Sequence, residues 1–460
     1  MRQRLCVLLA ACALVGGCTT RGASVTTGGP SATRHEFEAP PKVSPQRVKL
    51  SLDPEKIERC MPKERVEIAS LAGQYFGPID FVMDQVETVR ELDFTAPSDI
   101  QMVDRTEFSR LAKQTQTKLE AKDRAINDWL QWSLGFRLLG TDGSTNPKGD
   151  SADLVAGFYV PAEDKIVLAE EGKLDSEYVI LAHELGHAAV DQVFGLPHSK
   201  SPRLVDDESL AMSSLIEGDA TLAELQVSAR FANKRAIDKT LERLLTNDKT
   251  YNLEREAGTP HAIIERFIFP YRWGLSFVCS VYLKQGWDGV DRAYSRPPTS
   301  SAEIMFPDRY LAKVRPERPP GFPKLPKPWK LYAEGTIGAM HLKAMFEAPA
   351  DREALALSNP LGRAAAWAGG RYVVWGQRPE NITSVFAMSL MEHRQHRGVL
   401  CSSLMEWHEQ AYNYAEQEVI ADGAVAYSDP TRTTVVTCRG RNVRLAMAPS
   451  RPLAETLARL

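Results

Sequence analysis

Leu181-Ala182-His183-Glu184-Leu185-Gly186-His187 is the stretch on which the reading of this chain turns. Its surroundings, from Glu177 to about Phe194, read as one helix: Asp175 and Ser176 offer N-caps, Glu177 is an acid in the first turn, and Gly195 and Pro197 stop it. Four residues along a helix advance about 400°, so His183 and His187 stand nearly one above the other and both imidazoles reach one ion. Zinc (Zn2+) suits such a pair, binding imidazole nitrogen at about 2.0–2.1 Å. Glu184 is offset by one position. That keeps its carboxylate off the metal yet near enough to take a proton from a water the metal acidifies.

A catalytic zinc has three protein ligands and one open position. Leu215-Ile216-Glu217-Gly218-Asp219-Ala220, on a helix expected from about Glu208 to Phe231, supplies the third, with 29 residues between His187 and Glu217. A glutamate inside an apolar helix, beside a glycine that permits close helix approach, needs a reason to be there: metal ligation is one, and a partly exposed helix face is the other. Asp219 is the first choice for the carboxylate that fixes the tautomer of a ligand imidazole; Asp191, one turn beyond His187 on the same face, competes for that role. Acyl transfer also calls for a group to stabilise the oxyanion. Tyr271 and Arg272, which follow Pro270, are candidates, as is Tyr159, on a strand able to pair with an extended substrate.

Outward from the helix, Ala156–Val160 and Lys165–Leu168 are β-rich runs separated by Pro161-Ala162-Glu163-Asp164, a hairpin signal. Apolar residues at helical spacing (Ile57, Leu111, Leu119, Ile126, Leu130, Leu134) make the segment from about 55 to 140 mostly helical, and more helix is expected between 234 and 290. A Pro-rich passage, 313–330, is stiff and extended. Beyond it, 331–460 mixes β-rich runs (Tyr372–Trp375, Ser384–Met388, Thr433–Thr437, Val443–Ala446) with helix such as Leu404–Val419. The fold class is α+β. A mainly helical catalytic part, 51–312, carries a small sheet beside the HExxH helix, and an α+β region follows.

The N-terminus bears on location. Arg2 and Arg4 precede an apolar run, Leu5 to Val15, too short to span a bilayer and of the right length for a signal-peptide core. It ends Leu14-Val15-Gly16-Gly17-Cys18, which resembles a bacterial lipobox. That resemblance implies a signal peptide over 1–17, a lipidated Cys18 and, with Thr19 rather than Asp next to it, an outer-membrane destination. Residues 18–50, rich in Thr, Ser, Gly and Pro, have the composition of a tether. With 56 Lys+Arg against 59 Asp+Glu, the net charge of −3 offers no basic field for a nucleic-acid partner. Four cysteines remain beyond Cys18: Cys60, Cys279, Cys401 and Cys438. An oxidising compartment permits disulfides; Cys401–Cys438 is the first choice, while Cys279, in an apolar run, fits a buried thiol as well as a bridge.

The HExxH helix followed by a distant glutamate resembles the gluzincin class of zinc metallopeptidases. More narrowly, His183–Phe194, Gly157-Phe158-Tyr159, Glu217–Ala220, Phe269-Pro270-Tyr271 and Pro307–Tyr310 resemble a group of largely uncharacterised bacterial exported HExxH proteins. Two positions depart from that group: it tends to carry a histidine where Phe306 stands and an aspartate near Gly370. The resemblance implies a zincin-like fold, zinc on His183, His187 and Glu217, Glu184 as general base, and a peptide or protein substrate. A non-catalytic envelope scaffold on a peptidase fold is the rival reading, motivated by the two departures and by the large C-terminal region.

Overall fold

The computed structural model describes residues 52–62, 79–115, 121–136, 156–170, 174–197, 203–231, 234–246, 248–377, 385–420 and 423–460. The expected signal peptide, Cys18 and the tether lie outside the described residues. In chain order come α1 (Pro54–Glu58), α2 (Ile79–Arg90), β1 (Asp99–Val103), α3 (Arg105–Thr115), α4 (Ala121–Ser133), β2 (Gly157–Val160) and β3 (Lys165–Ala169). The helices α5 (Leu174–Phe194), α6 (Asp207–Phe231), α7 (Lys234–Thr246), α8 (Asp248–Glu256), α9 (His261–Ser295), α10 (Ser301–Met305) and α11 (Pro307–Leu311) follow.

The hairpin forms where the sequence places it, and Asp164, at φ 45°, closes its turn in the left-handed region that Asp tolerates. A third strand is added that the sequence reading missed: β1 lies parallel to β3, giving the order β1-β3-β2. Its residues, DIQMV, alternate polar and apolar only over Asp99–Met102 and none of them is buried, so the signal is too short to mark a strand inside an otherwise helical segment. The parallel pairing needs a long crossover, and the chain from α3 through α4 to the hairpin provides it.

The central strand β3 is covered on both faces. Ile166 and Leu168 pack with Ile180, Leu181 and Leu185 of α5, while Val167 meets Phe108 of α3. A Cβ at Gly157 would lie 2.5 Å from the Ile180 side chain and 3.1 Å from Glu184 Oε1, so the missing side chain is what lets α5 settle against β2 at the catalytic turn. On its other side α5 packs along α6, and α6 crosses α9 at two glycines. A Cβ on Gly218 would sit 2.3 Å from the carbonyl of Gly274. Helix α5 ends where expected, with Gly195 at φ 73° accepting the left-handed capping position.

The C-terminal region holds β4 (Lys330–Thr336), α12 (Ala339–Glu347), α13 (Pro360–Ala364), β5 (Trp367–Gly376), β6 (Val385–Glu392), α14 (Val399–Ala411), β7 (Glu416–Val419), β8 (Val425–Asp429), β9 (Arg432–Arg439), β10 (Asn442–Ala448) and α15 (Arg451–Ala458). Its strands form an antiparallel sheet in the order β4-β5-β6-β10-β9-β8-β7. One face carries α15; the other shares a hydrophobic core with the helices, in which Tyr372, Phe386 and Met388 join Leu215, Phe269 and Trp273. No helix or strand forms between Ala312 and Trp329. The helix expected over Leu404–Val419 stops at Ala411, and Glu416–Val419 is instead the exposed edge strand β7. Its composition, Glu-Gln-Glu-Val, favours helix, and only pairing with β8 makes it a strand.

Two disulfides are present among the described residues. Cys401–Cys438 is the pair expected, and Cys279 is not a free thiol but is bonded to Cys60, with Cα atoms 5.9 Å apart, tying α1 to α9.

Candidate metal centre

His183 and His187 project from the middle of α5 toward Glu217 of α6. Each Nε2 lies 3.4 Å from Glu217 Oε2, and one donor atom from each residue falls within 4.8 Å of the other two. Donors on a tetrahedral zinc with bonds of about 2.05 Å stand about 3.3 Å apart, so the two measured separations are those of a zinc shell. The imidazole rings cross at 88° with centroids 4.8 Å apart, and both Nε2 atoms approach the same Glu217 oxygen. Chemistry agrees with geometry. Two imidazoles here face three carboxylates, Glu184, Glu217 and Glu224, in a buried setting, and the excess negative charge calls for a cation.

The ionisation of these groups follows from that arrangement. Burial alone would lower the His183 imidazole, but hydrogen bonds to Glu217 and Glu224 outweigh it and push it up to about 10. Burial would raise Glu217, yet the neighbouring His187 and His183 hold it well below the usual carboxylate range. Glu184 is the exception: burial dominates and its carboxyl is raised. It is 1% exposed, and its Oε2 has no hydrogen-bond partner among the described residues. A buried carboxylate oxygen without a partner, one residue from a metal ligand, is placed to accept a proton from a reacting water.

The residue that orients His183 was not found from sequence. Glu224 Oε2 lies 3.1 Å from His183 Nδ1 and is the carboxylate partner of that imidazole. Glu224 follows Glu217 by seven residues, two turns of α6, and so shares its face. That spacing was the available signal. Asp219 does not take the role, because two residues on a helix are about 200° apart and it points away. Its oxygens accept from Arg90 Nε (2.7 Å) and Nη2 (3.0 Å) and from the Tyr294 hydroxyl (2.8 Å). Arg90 is itself fully buried, reaches Asp291 at 2.6 Å and lies over the Trp287 ring at 4.3 Å. Asp219 therefore fixes α6 against α2 and α9 beside the ligand. Asp191 likewise serves position: it accepts from Leu196 N (2.5 Å) and the Tyr159 hydroxyl (2.9 Å), tying the end of α5 to β2.

Tyr271, on α9, is brought to the site. Its ring stacks on His183 at 6.2 Å between centroids and is 6% exposed. Tyr159 is not free for an oxyanion, since its hydroxyl is held by Asp191 and Asp164. Arg272 faces the Glu265 side of α9 instead, where its charge acts on that carboxyl. The two departures lie elsewhere. Phe306 carries the Arg309 guanidinium at 4.5 Å, and at Gly370 a Cβ would meet the Ile337 carbonyl at 2.3 Å, which leaves no room for an aspartate.

The residues fit zinc, and the arrangement is that of an HExxH hydrolase site of gluzincin type. No protein-family model, no curated protein and no solved structure matches the chain.

Proposed function

We propose that this protein is a zinc-dependent peptidase, exported and held at the membrane by lipid on Cys18. The observation that carries the reading is the pairing of a complete ligand set with a buried, unpartnered Glu184 oxygen beside it. His183, His187 and Glu217 would hold the ion, and Glu224 fixes the first of them through Nδ1. Zinc so held supplies a Lewis acid that polarises a carbonyl and lowers the pKa of water. Glu184 takes the proton on Oε2 and passes it to the leaving amine. Tyr271, stacked on His183, is the side chain best situated to meet a developing oxyanion. β2 is an edge strand of its sheet among the described residues, and its Gly157 lies against Glu184, which favours an extended peptide paired along it.

A lipobox ending in Cys18 and two disulfides support export to an oxidising compartment and an outer-membrane anchor. The test is a peptide library incubated with purified protein and read by mass spectrometry. Cleavage abolished by Glu184→Gln is the expected result. Cleavage that persists unchanged in that variant, or none by the wild type with zinc bound, refutes peptidase action and favours the scaffold.

A further inference from the structure

At the end of the C-terminal sheet farthest along β5 from Gly376, four successive carbonyls each accept a hydrogen bond from another segment. Ala365 O and Trp367 O accept from Arg309 Nη2 (2.6 Å) and Nη1 (3.0 Å). Ala366 O accepts from the backbone of His393 (2.9 Å), and Ala368 O from that of Glu317 (2.8 Å). The turn that follows β6 is thereby brought over Arg309, and it lies against the β9–β10 hairpin as well. Arg397 Nε donates to Gly440 O at 3.0 Å, and Arg441 Nε to Glu392 O at 2.7 Å. The juxtaposition collects Arg309, His393, Arg394, His396, Arg397 and Arg441.

The balance of charge there is unusual for a chain of net charge −3. Among the described residues Arg309 has no carboxylate partner; burial alone holds its guanidinium down at about 10. Glu392 is spent on the backbone N–H groups of Gly398 (2.7 Å) and Leu400 (2.5 Å) at the start of α14. Glu317 pairs with Arg441, at 3.1 Å for one of its two hydrogen bonds. Four arginines thus share this end of the sheet with two carboxylates, both already engaged. Burial and the nearby Arg309 also hold the His393 imidazole at about 4, and its Nε2 is buried without a partner. Arg394 and Arg397 lie at the exposed rim, their forks able to grip a tetrahedral oxyanion.

We propose that this end of the C-terminal sheet is a phosphate-binding site, in which a dianionic phosphate group offsets the two surplus charges. The ligand is a phosphate either free in solution or on a lipid headgroup, and the two sources are separable.

Calorimetric titration of the purified chain with inorganic phosphate at low ionic strength should give one saturable site per chain. The double variant Arg394→Glu/Arg397→Glu, both at exposed positions, should weaken it at least tenfold. Arg110→Glu, on α3 and 52% exposed, should leave it unchanged. Co-sedimentation with vesicles containing phosphatidic acid, whose headgroup is a phosphomonoester, against phosphatidylcholine vesicles, locates the source. Retention that needs Arg394 and Arg397 assigns the lipid headgroup, whereas phosphate binding without retention assigns a soluble phosphate. Absence of saturable phosphate binding, or binding that survives the double charge reversal, overturns the proposal.

Discussion

The helical part and the C-terminal sheet bury their interiors differently. The sheet's central strands β5, β6, β9 and β10 are closed in by apolar side chains on both faces, and the buried His408 of α14 sits among Trp407, Tyr412 and Tyr427 of β8. The helical part instead buries charge against charge, Arg90 with Asp219 and the imidazoles and carboxylates of the metal centre, whereas the sheet's buried Glu392 and Arg444 are held by backbone groups. Such groups cost several kcal/mol each to desolvate and are kept only where paired or where they serve chemistry. The contrast identifies α5, α6 and α9 as elements whose interior is shaped by function, and the interior of the sheet as one shaped by packing.

Several substitutions bear on that contrast. The largest expected effect is global. Cys60→Ser with Cys279→Ser opens a loop of sequence separation 219 and should cost about 5 kcal/mol, against about 4 for Cys401→Ser with Cys438→Ser, by chemical denaturation. Next, Arg90→Met leaves the Asp219 charge buried with no cation and only the Tyr294 hydroxyl beside it, so the same assay should show a loss of about 3–5 kcal/mol. An equal loss from a sheet core substitution such as Val436→Ala would erase the difference between the two regions.

Acid should reach the sheet through His408. Burial lowers this imidazole to about 3, below its usual range, and its weaker interaction with Asp429 does not reverse that. Between about pH 6.5 and 3 the unfolded chain binds a proton that the folded chain excludes, so stability falls as pH falls through that window. By pH 4 the share due to His408 is roughly 3 kcal/mol. Comparing wild type with His408→Phe across pH 4–7 isolates it, and parallel curves would exclude this histidine. The smallest effect expected at the metal centre is Glu224→Gln, which keeps the fold and weakens zinc binding by about 10–100-fold in a competition titration with a chelator.

How much of this was legible follows from the range of each signal. The metal face of α5 was readable because His183, Glu184 and His187 meet through helical geometry alone. Glu217 was readable because an acid beside a glycine in an apolar helix is anomalous, and Gly218 does meet the backbone of Gly274. The hairpin followed from local β-propensity and a turn. Glu224, Arg90 and β1 were not read, since each takes its role from a partner remote in sequence. Glu224 answers to His183, Arg90 to Asp219, and β1 to β3. Assigning Asp219 to the imidazole failed for a nearer reason: two residues from Glu217, it lies on the opposite side of α6. The break between Ala411 and β7 was equally hidden, because its outcome rests on strand pairing.

The central claim is that His183, His187 and Glu217 form a zinc site with Glu184 beside it but not on the metal. Metal analysis of the purified chain and four variants tests it most directly. We expect about one zinc per chain in the wild type and in Glu184→Gln, and loss of that zinc in His183→Ala, His187→Ala and Glu217→Ala. Stoichiometric zinc that survives Glu217→Ala, or that disappears with Glu184→Gln, would contradict the account.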